Sequence, residues 1–356
     1  MEKTKNLLVA LADKNYIDQA KQLFSSAYWN AGWNGDYMLL AHDIPEGKLK
    51  WFHEKGILVK HCKPLIKKKL NCPLPPVVFD KLYLFTEEFK KWRTIVFLDS
   101  DMIVKAPIDE LTKIKYFGVT RDIYFNKLKS QLFDPTNNQY NNITYDINVP
   151  AFNSGVISFN TDIITPDTFS ELLHLLKITS EYKYGEQPVL NLYFYEKWEE
   201  LPSVYNVVVN YHGTKTQKKI KSIILHFAAC HGEVRYSLWD PKNHYYNEWK
   251  TNLEKADLMD LNNIPIIAKW SRFKTNFYST INNIDFLTYK NRTRFALFFK
   301  YHVKPVLFYI IKTPDRLIGL TGLVIKIISP GLYYVLKGQE DIDVFTDEPV
   351  ENSKPN

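Results

Sequence analysis

A chain of 356 residues with 45% hydrophobic and 24% charged positions can bury a sizeable core, which excludes a disordered protein and points to one large domain with an appendage. Three cysteines, Cys62, Cys72 and Cys230, are sparse, odd in number and without paired metal spacing, so they support neither a disulfide framework nor a zinc site and favour a reducing compartment. The net charge of +7 is uneven: residues 261–337 hold twelve Lys or Arg against Asp285 and Asp315, a net +10 that leaves −3 on the rest of the chain.

Met1 to Asn6 runs straight into the apolar Leu7 to Leu11, too short for a signal-peptide core, and the expectation is a cytoplasmic protein. Leu7 to Leu11 reads as a strand, residues 12–16 as a polar turn, and Ile17 to Phe24 as a helix by its apolar spacing. No Gly-x-Gly-x-x-Gly loop follows the strand, which argues against the usual dinucleotide fold. Asp36 to Ala41 and Ile57 to Lys60 predict two more strands, and Val77 to Phe89 a helix that contains Lys81. Strands alternating with helices predict an α/β fold with a mostly parallel sheet.

Thr94 to Leu98 carries no charge and reads as a strand buried on both faces, ending at Asp99-Ser100-Asp101. The carboxyl edge of parallel strands is where open α/β sheets bind ligands. In an extended chain the two acids share a face, close enough to hold one hard cation, although a lone Asp-x-Asp is also a common solvated turn. Tyr116 to Thr120 is a further strand, ending at Arg121-Asp122, and residues 126–148 form a long polar loop of the kind that is usually functional or mobile. Phe152 to Asn160 is a strand whose entry carries Asn153, Ser154 and Gly155. Thr168 to Ile178 is an amphipathic helix, and Glu186-Gln187-Pro188 opens another, with proline in the first turn.

Val204 to Asn210 and Ser222 to Phe227 complete the strands. A lone histidine such as His226 more often packs than ligates, but two aspartates wait for a third ligand, and imidazole with carboxylates suits manganese. From about Ile264 aromatic and basic residues alternate, and the apolar runs Val306 to Ile311 and Leu317 to Ser329 fall short of the roughly 20 residues of a spanning helix. Such texture fits helices lying on a surface, or packed on the core with solvated lysines. Residues 339–356 are acidic and expected to be disordered.

In order, Leu11-Ala12-Asp13-Lys14-Asn15-Tyr16, Lys81-Leu82, Phe97-Leu98-Asp99-Ser100-Asp101, Phe152-Asn153-Ser154-Gly155-Val156, Glu186-Gln187 and Leu225-His226-Phe227 resemble the motifs of glycosyltransferase family 8. That family comprises retaining enzymes of GT-A fold, among them glycogenin and bacterial lipopolysaccharide galactosyl- and glucosyltransferases. The resemblance covers roughly residues 5–240; together with the change of composition after it, the chain divides into a GT-A domain at 1–260, a basic aromatic helical segment at 261–338 and the tail at 339–356. It implies that Ala10, Leu11, Ala12 and Tyr16 hold uracil and ribose, with the Tyr16 ring stacked on the base, although Tyr16 could equally be a helix-start staple. It implies that Lys81 reaches the donor, that Asp99, Asp101 and His226 bind manganese, with magnesium as the alternative, and that Ser100, Asn153 and Ser154 line the donor site. Asp122 falls near the sugar hydroxyls, and Glu186 and Gln187 beside the anomeric carbon. After His226-Phe227 the family has a glycine and Lys-Pro-Trp, whereas this chain runs on to Trp239, leaving His231 or Arg235 to supply the charge on the diphosphate.

The expected function is a metal-dependent retaining hexosyltransferase using a UDP-sugar and a glycan or glycolipid acceptor, with peripheral association with an anionic membrane. A self-glucosylating primer, with Tyr140 or Tyr145 as acceptor, and a non-catalytic nucleotide-sugar-binding protein are the alternatives. No nucleic-acid-reading module accompanies the basic residues, so nucleic acid is not expected as a partner. Gln187 is a poor nucleophile, and Glu186, Asp122 and Asp162 are the carboxylates on offer for a double displacement; same-face attack is favoured over it.

Overall fold

The computed structural model describes residues 5–66, 75–132, 145–178, 184–209, 219–228 and 236–298, with residue 303. Ten strands are present among them: β1 (Asn6–Ala12), β2 (Asp36–His42), β3 (Leu58–Cys62), β4 (Thr94–Leu98), β5 (Met102–Val104), β6 (Phe117–Arg121), β7 (Phe152–Asn160), β8 (Glu199–Glu200), β9 (Val207–Val208) and β10 (Ile224–His226). Seven build a central sheet in the order β3-β2-β1-β4-β7-β6-β8, and β5-β10-β9 form a small second sheet. β3, β2, β1 and β4 are parallel neighbours, β7 runs antiparallel to β4 and β6, and β8 is parallel to β6. The expected mostly parallel α/β sheet is thus observed, with β7 the one reversed strand.

The uncharged runs of β1 and β4 are explained by burial on both faces. Leu8, Ala10, Val96 and Leu98 enter one core, and Leu7, Val9, Ile95 and Phe97 enter the other, so alternate residues feed opposite sides. Helix α1 (Ile17–Ala31) covers the first core with Ala20, Leu23, Phe24 and Ala27. The short helices α2 (Lys50–Glu54) and α3 (Leu128–Gln131) follow β2 and β6. Helices α4 (Thr168–Ile178) and α5 (Gln187–Tyr193) cover the second core with Leu172, Leu176, Val189 and Leu190. Helix α6 (Tyr246–Lys255) lies against α1, and Trp29 Nε1 donates to the Lys255 carbonyl at 3.1 Å. Helix α7 (Arg272–Phe298) docks through buried Phe286 and Asn282, whose Nδ2 donates to the Lys221 carbonyl at 2.9 Å.

Two sequence expectations are corrected. Val77 to Phe89 is not an α-helix but two 3₁₀ segments, Pro76–Phe85 and Glu87–Lys91, separated by extended Thr86. The tighter winding buries Phe79, Leu82, Leu84, Phe85 and Phe89 together. Of the strand expected from Val204 to Asn210, the residues up to 208 form a 3₁₀ turn, Ser203–Tyr205, and then the two residues of β9, with Asn206 out of strand geometry at φ −152°, ψ 70°, and Asn210 lies outside the described residues. Residues 133–144, the runs from Val306 onward, the tail, Cys72 and Cys230 lie outside the described residues.

Helix α1 ends at Gly32 in the left-handed region (φ 60°), where Gly32 and Trp33 N–H groups donate to the Tyr28 and Ala27 carbonyls. A Cβ at Gly32 would lie 2.3 Å from the Pro265 carbonyl oxygen, so the position excludes side chains on both counts. Gly32→Ala should therefore lower unfolding stability by at least about 1–2 kcal/mol in denaturant titration, and an unchanged midpoint would contradict this packing.

Candidate active site

The chain leaves β4 at Leu98, turns through Asp99-Ser100-Asp101 and re-enters as β5 in the second sheet. The two acids therefore meet on a turn between sheets, not through the alternation of a strand as expected. The turn is pinned on both sides. Asp99 N–H donates to the Gly155 carbonyl at 2.9 Å, and Ser100 Oγ donates to the Leu11 carbonyl at 2.6 Å. Antiparallel pairing of β10 with β5 sets His226 opposite Met102, and Phe227 N–H donates to the Asp101 carbonyl at 3.0 Å.

This register carries His226 to the acids. Its Nε2 lies 3.4 Å from Asp101 Oδ1 and 3.8 Å from Asp99 Oδ2, and the ligand atoms of all three residues lie within 4.8 Å of one another. Two carboxylates and an imidazole at this spacing fit one divalent cation, since their ligand atoms converge, with Lys81 beside Asp99. Gly155 makes the approach possible: a Cβ there would lie 2.5 Å from His226 Cε1. Behind the ring, His226 Nδ1 is 2.8 Å from Asn206 Oδ1, and Asn206 Nδ2 donates to Asn153 Oδ1 at 2.8 Å.

Burial pushes the Asp99 carboxyl up to about 6, against the lowering charges of Lys81 and His226. Asp101 is held below the usual carboxylate range: burial alone would raise it, but His226 outweighs that by charge and hydrogen bonding. His226 is raised, burial alone lowering it while Asp101 and Asp99 more than compensate.

Lys81 joins this cluster to the second half of the site. Its buried ammonium lies 2.6 Å from Glu186 Oε1 and 3.1 Å from Asp99 Oδ1, and donates to the Ser154 carbonyl at 3.0 Å. Its three N–H bonds are thereby directed at protein acceptors, and it ties the two acids together. Ser154 Oγ donates to Glu186 Oε1 at 2.8 Å, and Ser154 N–H to Gln187 Oε1 at 3.0 Å. Gln187 Nε2 donates to Asp122 Oδ2 at 3.3 Å, and Asp122 Oδ1 accepts from the Tyr124 and Phe125 N–H groups. Burial raises the Asp122 carboxyl in spite of these bonds. Asn191, one turn along α5, accepts the Phe152 N–H and donates to the Gln187 carbonyl and to Gln131 Oε1, which braces the start of β7 against the helix.

The remaining expectations divide. Tyr16 stands before α1 beside the acids; burial, then the Asp101, Asp13 and Asp99 charges, push its phenol up to about 12, and its ring meets Trp239 edge-on at 5.3 Å. Ala10, Leu11 and Ala12 turn their side chains into the cores, which leaves only backbone groups at this edge for a ligand. Asp162 is excluded from the site, because β7 carries it to the opposite end of the strand from Asn153 and Ser154. His231, Arg235 and Tyr140 lie outside the described residues, and Tyr145 packs edge-on against Tyr195. The sequence reading did not single out Asn206, Asn191 or Gln131. An asparagine inside Val204-Tyr205-Asn206-Val207-Val208 was the available signal, since a polar group in a buried run needs a partner.

A family model described as glycosyl transferase family 8 matches residues 8–232. The chain belongs to glycosyl transferase family 8. Among relatives, galactinol synthase 1 of Ajuga reptans is 27% identical over 243 residues, which is 64% of this chain and 68% of the relative. Glycosyltransferase GlyB of Streptococcus pneumoniae is 27% identical over 210 residues, 57% of this chain and 48% of GlyB. The galactosyltransferase LgtC, solved with donor and acceptor sugar analogs, superposes with a TM-score of 0.54 at 15% identity, covering 73% of this chain and 97% of LgtC. The bifunctional glycosyltransferase WbbM gives a TM-score of 0.55 at 18% identity, covering 71% of this chain and 50% of WbbM. The family 8 chain thus shares the GT-A-like fold of these structures and spans about half the length of GlyB and WbbM.

Metal binding to this family 8 site requires Asp99 ionised and His226 neutral, so protons compete with the ion. The affinity for a divalent ion should fall first as pH drops through the raised His226 range and then more steeply below about 6, where Asp99 takes up a second proton, from about tenfold to about 100-fold per pH unit. Calorimetric Mn²⁺ titrations at several pH values test this, and an affinity flat between pH 5 and 8 would refute it.

Proposed function

We propose that this family 8 glycosyltransferase moves a hexose, glucose or galactose, from a UDP-sugar to a glycan or glycolipid acceptor, with retention of configuration and with a divalent metal. The observation that carries the reading is the Asp99, Asp101 and His226 cluster joined through Lys81 to Glu186 and Gln187. Bound there, manganese, or magnesium in its place, would offset the charge developing on the diphosphate leaving group. The fold shared with LgtC, a galactosyltransferase solved with donor and acceptor sugar analogs, supports sugar as donor and acceptor.

The chain's own residues favour same-face attack. Glu186 is neutralised by Lys81 and by the Ser154 hydroxyl, Asp122 already accepts three hydrogen bonds, and the Gln187 amide is a weak nucleophile held at both ends. Lys81 and the Ser154 hydroxyl draw on Glu186 through Oε1 and Asp122 is tied to backbone N–H groups, which weakens both as nucleophiles for a double displacement. In the step we infer, the acceptor hydroxyl oxygen bonds to the anomeric carbon as the bond to phosphate breaks, and the hydroxyl proton passes to the leaving diphosphate. Gln187 and Asp122 orient the sugar during this exchange. UDP release from UDP-glucose and UDP-galactose with Mn²⁺ should drop at least about 100-fold with excess chelator or in Asp101→Asn. Full activity in chelator would sink the metal-dependent reading.

The acceptor side of the proposal includes peripheral attachment to an anionic bilayer, at the cytoplasmic face. Phe273, Phe277, Ile284, Leu287, Phe295 and Phe298 are exposed and, at about 100° per residue, fall on one side of α7, opposite buried Thr275, Asn282 and Phe286. Among the described residues no helix is long and apolar enough to cross a membrane, and a basic helix with an apolar stripe can lie in the headgroup layer. The protein should sediment with anionic vesicles at low salt, and Ile284→Glu with Leu287→Glu should weaken that binding about tenfold or more without shifting thermal unfolding. Vesicle binding that is absent in the native protein, or unchanged in the double variant, would refute the attachment.

A further inference from the structure

Asn206 sits one residue before β9, which runs parallel to β10 with Val208 opposite His226. Although Asn206 itself leaves strand geometry, its side chain reaches the imidazole directly. Asn206 is buried, and its amide spans from His226 Nδ1 to Asn153 Oδ1, each at 2.8 Å.

Which end of that amide faces the ring follows from an unambiguous donor. The Gly155 backbone N–H points at the Asn153 side chain at 3.0 Å, and a backbone N–H can only donate, so the Asn153 atom receiving it is the carbonyl oxygen. Asn206 must then offer its NH₂ to that same oxygen, since oxygen against oxygen would leave both buried groups repelling. Its own carbonyl is left facing His226 Nδ1, which must carry the hydrogen. Nε2 is therefore the nitrogen turned to Asp99 and Asp101, at 3.8 and 3.4 Å, and the one an ion would take once its hydrogen leaves.

We propose that Asn206 is a positioning residue for the metal site: the relay from Gly155 N–H through Asn153 and Asn206 locks His226 in the Nδ1–H form, so that Nε2 is presented to the ion. This rests on the metal reading of the site. Without the Asn206 carbonyl, the ring gains by shifting its hydrogen to Nε2, where the two carboxylates accept it. The ion would then have to displace that hydrogen before it could bind.

The test is Mn²⁺ titration of the full chain without donor, followed by the electron paramagnetic resonance signal of free Mn²⁺. Asn206→Leu keeps the volume and removes the acceptor; it should weaken Mn²⁺ binding about 10–100-fold. Asn206→Asp keeps an acceptor for Nδ1–H and should bind within about threefold of native, although it breaks the bond to Asn153. Thermal unfolding of the metal-free variants reports on folding separately. Native-like affinity in Asn206→Leu would overturn the assignment, and so would equal losses in the Leu and Asp variants, which would mark a packing role. Native protein that binds Mn²⁺ no better than Asp101→Asn would instead overturn the metal reading, and this assignment with it.

Discussion

The arrangement of the site depends on one desolvated charge. Lys81 is 3% exposed, with the Phe97 ring 4.7 Å away on one side and acidic groups on the other. Burial alone would drive its ammonium toward the neutral form, but Asp99 and Glu186 more than reverse this and hold it charged. An ion so enclosed holds its partners tightly, because withdrawing either would cost about 3–5 kcal/mol. Lys81 thus links the acids of the metal-type cluster to the Glu186–Gln187 corner of α5, and a shift on one side is felt on the other.

The second constraint is the junction of the two sheets. β4 belongs to the large sheet and β5 to the small one, so the turn between them is fixed from both directions: Leu11 and Gly155 hold it on the β1 and β7 side, and Phe227 holds it on the β10 side. Ligand atoms on such a turn are positioned by backbone bonds and need little side-chain ordering when a ligand arrives. The glycine at 155 belongs to the same design. Its missing side chain is the space in which His226 sits, while its N–H orients Asn153 and its carbonyl receives Asp99.

Polar groups in this interior are arranged as a connected set. Gln187, Asn191, Gln131, Asp122 and Ser154 exchange hydrogen bonds with one another and with the backbone of β7, so the helix that carries the Gln187 amide is locked to the strand that carries Asn153 and Ser154. Sharing donors and acceptors in this way makes each amide's orientation depend on its neighbours, and gives the region one arrangement instead of several.

Much of this was legible in the chain itself. Short uncharged runs such as Thr94 to Leu98 read as buried strands, their alternation with helical spacing points to an α/β sheet, and the Asp-x-Asp at a strand's carboxyl end offers a cation site; these are local properties of composition and period. The order of motifs carried the family. What the sequence could not determine was which of its scattered polar residues meet. The 3₁₀ winding that buries Lys81, the small sheet whose register brings His226 to the acids, the removal of Asp162 to the far end of β7, and the Asn206 relay all arise from pairings between segments far apart in the chain. Their physical reason is that a buried charge or amide is satisfied by whatever partner the fold delivers, and only the tertiary structure chooses that partner.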